Sequence, residues 1–280
     1  MNRLPNASQP GEVLRFSACG AQVELAVEDP TLLELLESLF PDYRTEISSA
    51  DAGAVVSLTA ADTGHVVVDH EGARHRCHGA IEIFSACEFA ITQALLSSCD
   101  EFAPLHASGA AVGGRAVLAL GAAGAGKSSL AVCWHLAGHA ALGDDVVLVD
   151  VEGRAHAFRR LYELDAMTLE TLGVDPAGTS MWQPGSAEAW YEPGAGAGWA
   201  EPTAVGVVAV VRFRQGAGLD ITQLSTAEAL NALVHSQMLL VPDRAAHLEA
   251  LARVAEGAKA YDVTFGSAAA AAKAIAERLA

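Results

Sequence analysis

The chain has 280 residues, half of them apolar, and its 34 acidic side chains outnumber 17 lysines and arginines to leave a net charge of −17. That length is enough for one large domain or two modest ones with a sizeable core. So acidic a surface repels phosphate backbones and anionic headgroups, which excludes nucleic acid and membranes as partners. A phosphate site, if there is one, has to be built locally from backbone dipoles and a few basic side chains. No window reaches the length of a membrane span, and residues 1–11 are polar, with no apolar signal region. The five cysteines (Cys19, Cys77, Cys87, Cys99 and Cys133) are odd in number and scattered, which suits reduced thiols in a cytoplasmic protein.

In chain order, Glu12 to Val27 alternates and predicts two short strands around Gly20. Asp29-Pro30-Thr31 then opens a helix over Leu32 to Phe40, with Asp29 as N-cap and Pro30 in the first turn. Ala54 to Leu58 and His65 to His70 read as strands, and Ile81 to Ser98 as a longer helix. Residues 1–100 therefore form a small α/β lobe without a catalytic motif. Within it His65, His70, His75, Cys77 and His78 gather, and His75 and Cys77 share a strand face, so a metal site is open to them. Histidines on short exposed strands are more commonly solvated, and that is the expectation here.

Residues 101–280 carry the chemistry. Leu105 to Val112, Gly113-Gly114 and Arg115 to Leu120 read as a hairpin, because Gly-Gly supplies the positive φ angles of a two-residue turn. That turn pairs Val112 with Arg115 and, at the far end, His106 with Gly121. The register thus brings His106 to the mouth of the loop Gly121-Ala122-Ala123-Gly124-Ala125-Gly126-Lys127-Ser128. A one-residue slip would turn the imidazole to the other face. The loop fits Gly-x4-Gly-Lys-Ser/Thr, between an apolar strand and a helix expected from Ser129 to Gly138. Its glycines let successive N–H groups point inward, and the helix N-terminus adds partial positive charge, which makes a cradle for polyphosphate. Gly121, Gly124, Ala125, Gly126, Lys127, Ser128 and Ser129 are the expected nucleotide contacts. Lys127 reaches the β- and γ-phosphates, and Ser128 ligates Mg²⁺.

Phosphoryl transfer also needs carboxylates, one near Mg²⁺ and usually another at the acceptor hydroxyl. Two places offer them. The run Val146 to Val149 ends in Asp150, and Asp144-Asp145 closes the preceding strand. The residues alone leave both open, as they do the reading in which either aspartate caps a turn. Farther on, His156 to Leu164 is expected along the cleft, with Arg159 and Arg160 as candidates for phosphate or acceptor contact. The stretch 178–202, rich in Gly, Pro and Trp (Trp182, Trp190, Trp199), reads as a lid or acceptor-binding loop, or as one pinned by buried tryptophans. Val205 to Phe213 is a buried strand, Ser225-Thr226-Ala227-Glu228 a capping box opening a helix through Met238, Ala260 to Phe265 a strand and Ser267 to Leu279 a helix.

His106-x-x-Gly109, Gly121 to Ser129 and Gly143-Asp144-Asp145-Val146 together resemble the catalytic domain of HPr kinase/phosphorylase and its smaller kinase relatives, which include kinases of lasso-peptide precursors. The resemblance covers roughly residues 103–280, with its specific motifs inside 105–165. It implies an α/β fold with the P-loop kinase core shared by HPr kinase and phosphoenolpyruvate carboxykinase, a mixed sheet. It also implies His106 assisting, Asp144 as base, Asp145 placing metal or base, and Lys127 on the phosphates, and so selects Asp144-Asp145 over Asp150. The long signature with which bifunctional members bind their protein substrate is not visible, and the chain is too short for a carboxykinase. The implied activity is transfer of the γ-phosphate of ATP, with Mg²⁺, to a hydroxyl, preferably a serine of a peptide or small protein; a homo-oligomer is compatible with it. The rivals are a nucleotide-binding regulatory module or slow ATPase, and a small-molecule kinase.

Overall fold

The computed structural model describes residues 12–45, 53–179, 181–182, 187–193, 197–238 and 244–279. The chain divides into two units, Met1–Cys99 and Asp100–Ala280. In the first, strict alternation makes β1 (Glu12–Ala18) and β2 (Ala21–Val27) a hairpin, pairing Ala18 with Ala21 around a turn at Cys19 and Gly20. Leu14, Phe16, Ala18, Ala21, Val23, Leu25 and Val27 are buried, and the strand residues alternating with them are half-buried or exposed. β3 (Ala54–Ala60), β4 (His65–Val68) and β5 (Arg74–Cys77) extend the sheet in chain order, with only the β2–β3 pair parallel. The helix α2 (Ala80–Leu96) packs on β2, β3 and β4.

The helix expected over Leu32 to Phe40 is much shorter, a 3₁₀ turn at Pro30–Leu32 leading into α1 (Leu33–Leu36). Asp29 caps it as expected, accepting from the backbone N–H and the hydroxyl of Thr31. It ends early because Phe40, immediately before Pro41, takes a left-handed conformation (φ +45°) to bury its ring against Phe16. Two of the histidines pair separately, His65 with Asp29 at 3.6 Å and His75 with Asp69 at 3.4 Å. Among the described residues no group of three or more His, Cys, Asp or Glu side chains gathers to hold a metal ion.

The second unit is built on a mixed nine-stranded sheet. Its strands in chain order begin with β6 (Phe102–Leu105), β7 (Ala107–Val112), β8 (Arg115–Leu120), β9 (Ala140–Gly143), β10 (Val147–Asp150) and β11 (Arg154–Ala157). A small antiparallel sheet of β12 (Tyr162–Asp165), β13 (Met181–Trp182) and β14 (Glu188–Tyr191) follows, and then β15 (Thr203–Phe213), β16 (Asp220–Gln223) and β17 (Lys259–Phe265) rejoin the large sheet. The helices are α3 (Lys127–Leu136), α4 (Ala166–Thr171), α5 (Thr226–His235), α6 (Arg244–Gly257) and α7 (Ala268–Glu277). Spatial order runs β6-β10-β11-β15-β8-β7-β9, with β17 on β15 and β16 on β17. β15, whose middle from Val205 to Val211 is Val, Ala and Gly, buried except at the half-buried Val210, lies parallel to both β8 and β17. Continuous apolar runs of this kind belong to strands covered on both faces. One face packs on α5 and α6 through Leu118, Val208, Leu233 and Leu251. The other packs on α3 and α7 through Val117, Ala209, Trp134 and Ile275.

The Gly113–Gly114 turn has φ of +56° and +80°, and the pairs run from Val112↔Arg115 to Ala107↔Leu120 in the expected register. The expected single strand from Leu105 is, however, two. β6 pairs with β10, the chain bends at His106, whose N–H donates to Ser236 O at 2.6 Å, and β7 starts one residue later. The stretch 178–202 also departs from the expected loop. Its described parts supply β13 and β14, Trp190 is fully buried, and Trp199 meets Tyr162 edge-on. Residues 180, 183–186 and 194–196, and the Trp182 side chain, lie outside the described residues. Ser225 and Glu228 form the expected capping box of α5, which ends at His235.

Candidate active site

β8 ends at Leu120, and the loop then turns directly into α3, which begins at Lys127, two residues ahead of expectation. Gly126 sits at φ +91°, and a Cβ there would come within 2.7 Å of Phe265 Cζ, so only glycine lets the loop pass this ring. Lys127 is buried and folds back over the loop, its ammonium donating to the carbonyls of Gly121 (3.0 Å) and Ala122 (3.3 Å). A cavity of 1390 Å³ opens on Ala123 to Ser129 and extends along α3, α4 and α7.

The corner after β9 brings both aspartates to this loop in different states. Asp145 takes φ +59°, a left-handed conformation that aspartate tolerates better than most residues. Its carboxylate lines the cavity, and His106 Nε2 donates to its Oδ1 at 3.2 Å. Burial raises the Asp145 pKa, but the bond from His106 and the charges of Arg160, His106 and Lys127 outweigh it and hold the carboxyl below its ordinary value. Asp144 points inward and is 1% exposed. Ser108, fully buried on β7, donates its hydroxyl to Asp144 Oδ1, while Oδ2 is buried with no hydrogen-bond partner among the described residues. Burial, with the charge of Asp145 beside it, pushes the Asp144 carboxyl up to about 6 against the pull of Ser108, Ser128 and Arg160. The buried Tyr162 phenol lies within reach of this charge, raised well above its ordinary value by burial and then by Asp144.

His106, Lys127, Ser128, Ser129, Gly124, Ala125, Gly126 and Asp145 therefore line one cavity, and Asp144 stands behind it. Asp144, expected as the base, does not line the cavity, whereas Asp145, expected to place metal or base, does. The second arginine of the Arg159–Arg160 pair is buried and bears on both aspartates by its charge; Arg159 is half-buried. Asp150 is fully occupied with a turn, bound to Arg154 and His156 and to the N–H groups of Glu152 and Arg154 at 2.7–3.0 Å. Ser108 and Tyr162 were not anticipated. The signal for Ser108 was its place two residues after His106, a lone hydroxyl in an apolar run.

Fold and site define a mixed α/β protein that carries a Gly-x4-Gly-Lys-Ser loop at a strand–helix junction, with a histidine–aspartate pair at its mouth. No protein-family model and no curated protein matches the chain. Among solved structures, it is similar to the Hpr(Ser) kinase/phosphatase from Coxiella burnetii, at 14% identity and a TM-score of 0.31, over 63% of this chain and 93% of that one. At that TM-score the likeness fixes neither the core type nor the reaction. Among the described residues no helix is long and apolar enough to cross a membrane.

Proposed function

We propose that this protein is an ATP-dependent phosphotransferase acting on a hydroxyl group. The observation that carries this reading is the His106–Asp145 pair, 3.2 Å apart, on the wall of the cavity that the phosphate loop also lines. A nucleotide-binding module has no need of such a pair where a terminal phosphoryl group would lie. The Asp144 carboxylate, one oxygen of which is buried with no hydrogen-bond partner among the described residues, and the neighbouring Ser128 hydroxyl, which lowers its pKa without a full hydrogen bond, fit Mg²⁺, a hard cation that takes oxygen ligands. Mg²⁺ needs only one or two carboxylates when phosphates and water complete its shell, so the absence of a larger cluster among the described residues is no obstacle. Held there, the cation would supply neutralisation of the negative charge that the transferred phosphoryl group and its leaving group carry.

Geometry precedes pKa in choosing the base, and it favours Asp145 over Asp144, the base that the motif resemblance implies. Asp144 with Ser128 holds the cation side. Asp145 faces the cavity, with Oδ1 occupied by His106, so its Oδ2 receives the acceptor's proton as the acceptor O–Pγ bond forms and the bond from Pγ to the β–γ bridging oxygen breaks, with ADP leaving. The depressed Asp145 pKa makes it a weak base, which suffices where the transition state is loose and catalysis is chiefly positioning. Lys127 exchanges the loop carbonyls for phosphate oxygens, and the N-terminus of α3 adds its dipole. The preferred acceptor is a serine of a peptide or small protein, taken from the motif resemblance. A cavity of 1390 Å³ exceeds the usual range for one small ligand, about 300–1,000 Å³, and leaves room beside a nucleotide for a peptide segment.

Radiolabel transfer from ATP to serine-containing peptides tests the reading. Wild type is expected to label them, and Asp145→Asn to fall by about a hundredfold or more at every Mg²⁺ concentration. Asp144→Asn is expected to recover part of its loss as Mg²⁺ is raised. Equal labelling by wild type and Asp145→Asn would remove the base, and ATP binding without transfer to any hydroxyl would leave a nucleotide-binding module.

A further inference from the structure

Across the large sheet, β8 and its loop stand between two unlike neighbourhoods. On one side β7 and β9 deliver His106 and the Asp144–Asp145 corner. On the other, β15 and β17 run parallel to β8 and end at Phe213 and Phe265. A phosphate chain whose terminal group faces His106 and Asp145 has its remaining atoms directed toward the β15–β17 side. Aromatic surface waits there. Phe213 is 47% exposed and opens on the same cavity as the loop, backed edge-on by the buried Phe265 ring at 5.9 Å and 62°. Its backbone N–H donates to Ala125 O at 3.0 Å, so the ring is indexed to the phosphate loop itself.

A single exposed phenylalanine is ordinary on a protein surface. One tied by its own backbone to the loop, and opening on that loop's cavity, offers a flat face beside it. We infer that the nucleobase of the bound nucleotide stacks on Phe213, across the loop from the catalytic pair. This rests on the phosphotransfer reading and adds where that nucleotide's base is held. Every base has a π-face, so stacking does not discriminate between adenine and guanine. Ser267 and Lys273, on the α7 side, line the same cavity and can meet the sugar or an adjoining phosphate.

Titration calorimetry with Mg²⁺ complexes of ATP, GTP and inorganic tripolyphosphate separates this inference from its parent. Phe213→Ala is expected to weaken ATP and GTP alike by about tenfold. Phe213→Trp should retain both affinities, and tripolyphosphate should bind wild type and Phe213→Ala within about twofold of each other, which also shows that the loop is intact. Unchanged nucleotide affinity in Phe213→Ala overturns the inference and leaves the phosphotransferase standing; so does unchanged ATP affinity with a raised KM for the peptide, which would give the ring to the acceptor. An equal loss for tripolyphosphate overturns it too, because the ring would then only support the loop. A wild type that binds neither ATP nor tripolyphosphate removes both readings.

Discussion

Replacing Asp144 by Asn is expected to make the protein more stable while impairing it. Asp144 is buried beside a second carboxylate, and burial followed by the Asp145 charge pushes its carboxyl to about 6 from 3.8. A group whose folded pKa is raised binds its proton more tightly in the native than in the unfolded chain, so ionisation costs stability. The cost is absent below about pH 4, grows between about 4 and 6, and is complete above that. About two pKa units at about 1.4 kcal/mol each set a ceiling of about 3 kcal/mol. Asparagine keeps the oxygen that accepts from Ser108 and sets its amide toward the Ser128 hydroxyl, which can accept one hydrogen. The second amide hydrogen has no evident acceptor, which leaves about 1–2 kcal/mol of gain, or about 2–8 °C in Tm at pH 8. Differential scanning calorimetry of wild type and Asp144→Asn from pH 4.5 to 8 without nucleotide is the assay. The gain should shrink toward acid pH. A variant no more stable than wild type at pH 8, or a difference independent of pH, would refute the picture of a strained buried carboxylate.

The other expectations are simpler. Gly126→Ala forces a Cβ against Phe265 at φ +91° and should lower ATP affinity by tenfold or more (about 1.4 kcal/mol) in calorimetry, with a lower Tm. His106→Ala should lower kcat by about a hundredfold or more and leave KM for ATP nearly unchanged in steady-state kinetics; a loss confined to KM would make it a binding residue. Asp150→Asn should lose about 1–3 kcal/mol in urea unfolding at pH 7 yet keep transfer activity, because that carboxylate serves Arg154, His156 and a turn. Burial raises the Asp150 pKa but His156 and Arg154 hold it below 3.8, so its contribution should be present above that pH and fade as acid protonates it.

The phosphate loop was readable because its chemistry is local. Eight consecutive residues state the need for glycine turns, a lysine and a hydroxyl, and the strand before and the helix after it are equally local signals. The Gly113–Gly114 turn likewise fixed the β7–β8 register from two residues. What stayed hidden depended on distant chain. That β6 and β7 separate at His106 follows from β10 claiming Leu105 and the Ser236 carbonyl claiming the His106 N–H. Which aspartate turns inward depends on Ser108, 36 residues earlier, and on the left-handed backbone of Asp145. Asp150 looked eligible for a metal because it ends the apolar run Val146 to Val149, and nothing in that run announces that Arg154 and His156 take its carboxylate. In the tryptophan-rich stretch, β14 pairs with β12 across more than twenty residues, and no periodicity announces that.

The long strand β15 also bears on how the protein comes into being. β8, the strand that ends in the phosphate loop, cannot complete its pairing until β15 exists, since Leu120 lies opposite Val210, about 90 residues later. At a translation rate of about 5–20 residues per second, the nascent chain carries the apolar Ala-Val-Leu-Ala-Leu segment with one open edge for several seconds. That interval is long enough for an intermolecular strand to dock there. Yield on expression should therefore respond to growth temperature and to holdase chaperones more than the stability of the finished fold would suggest.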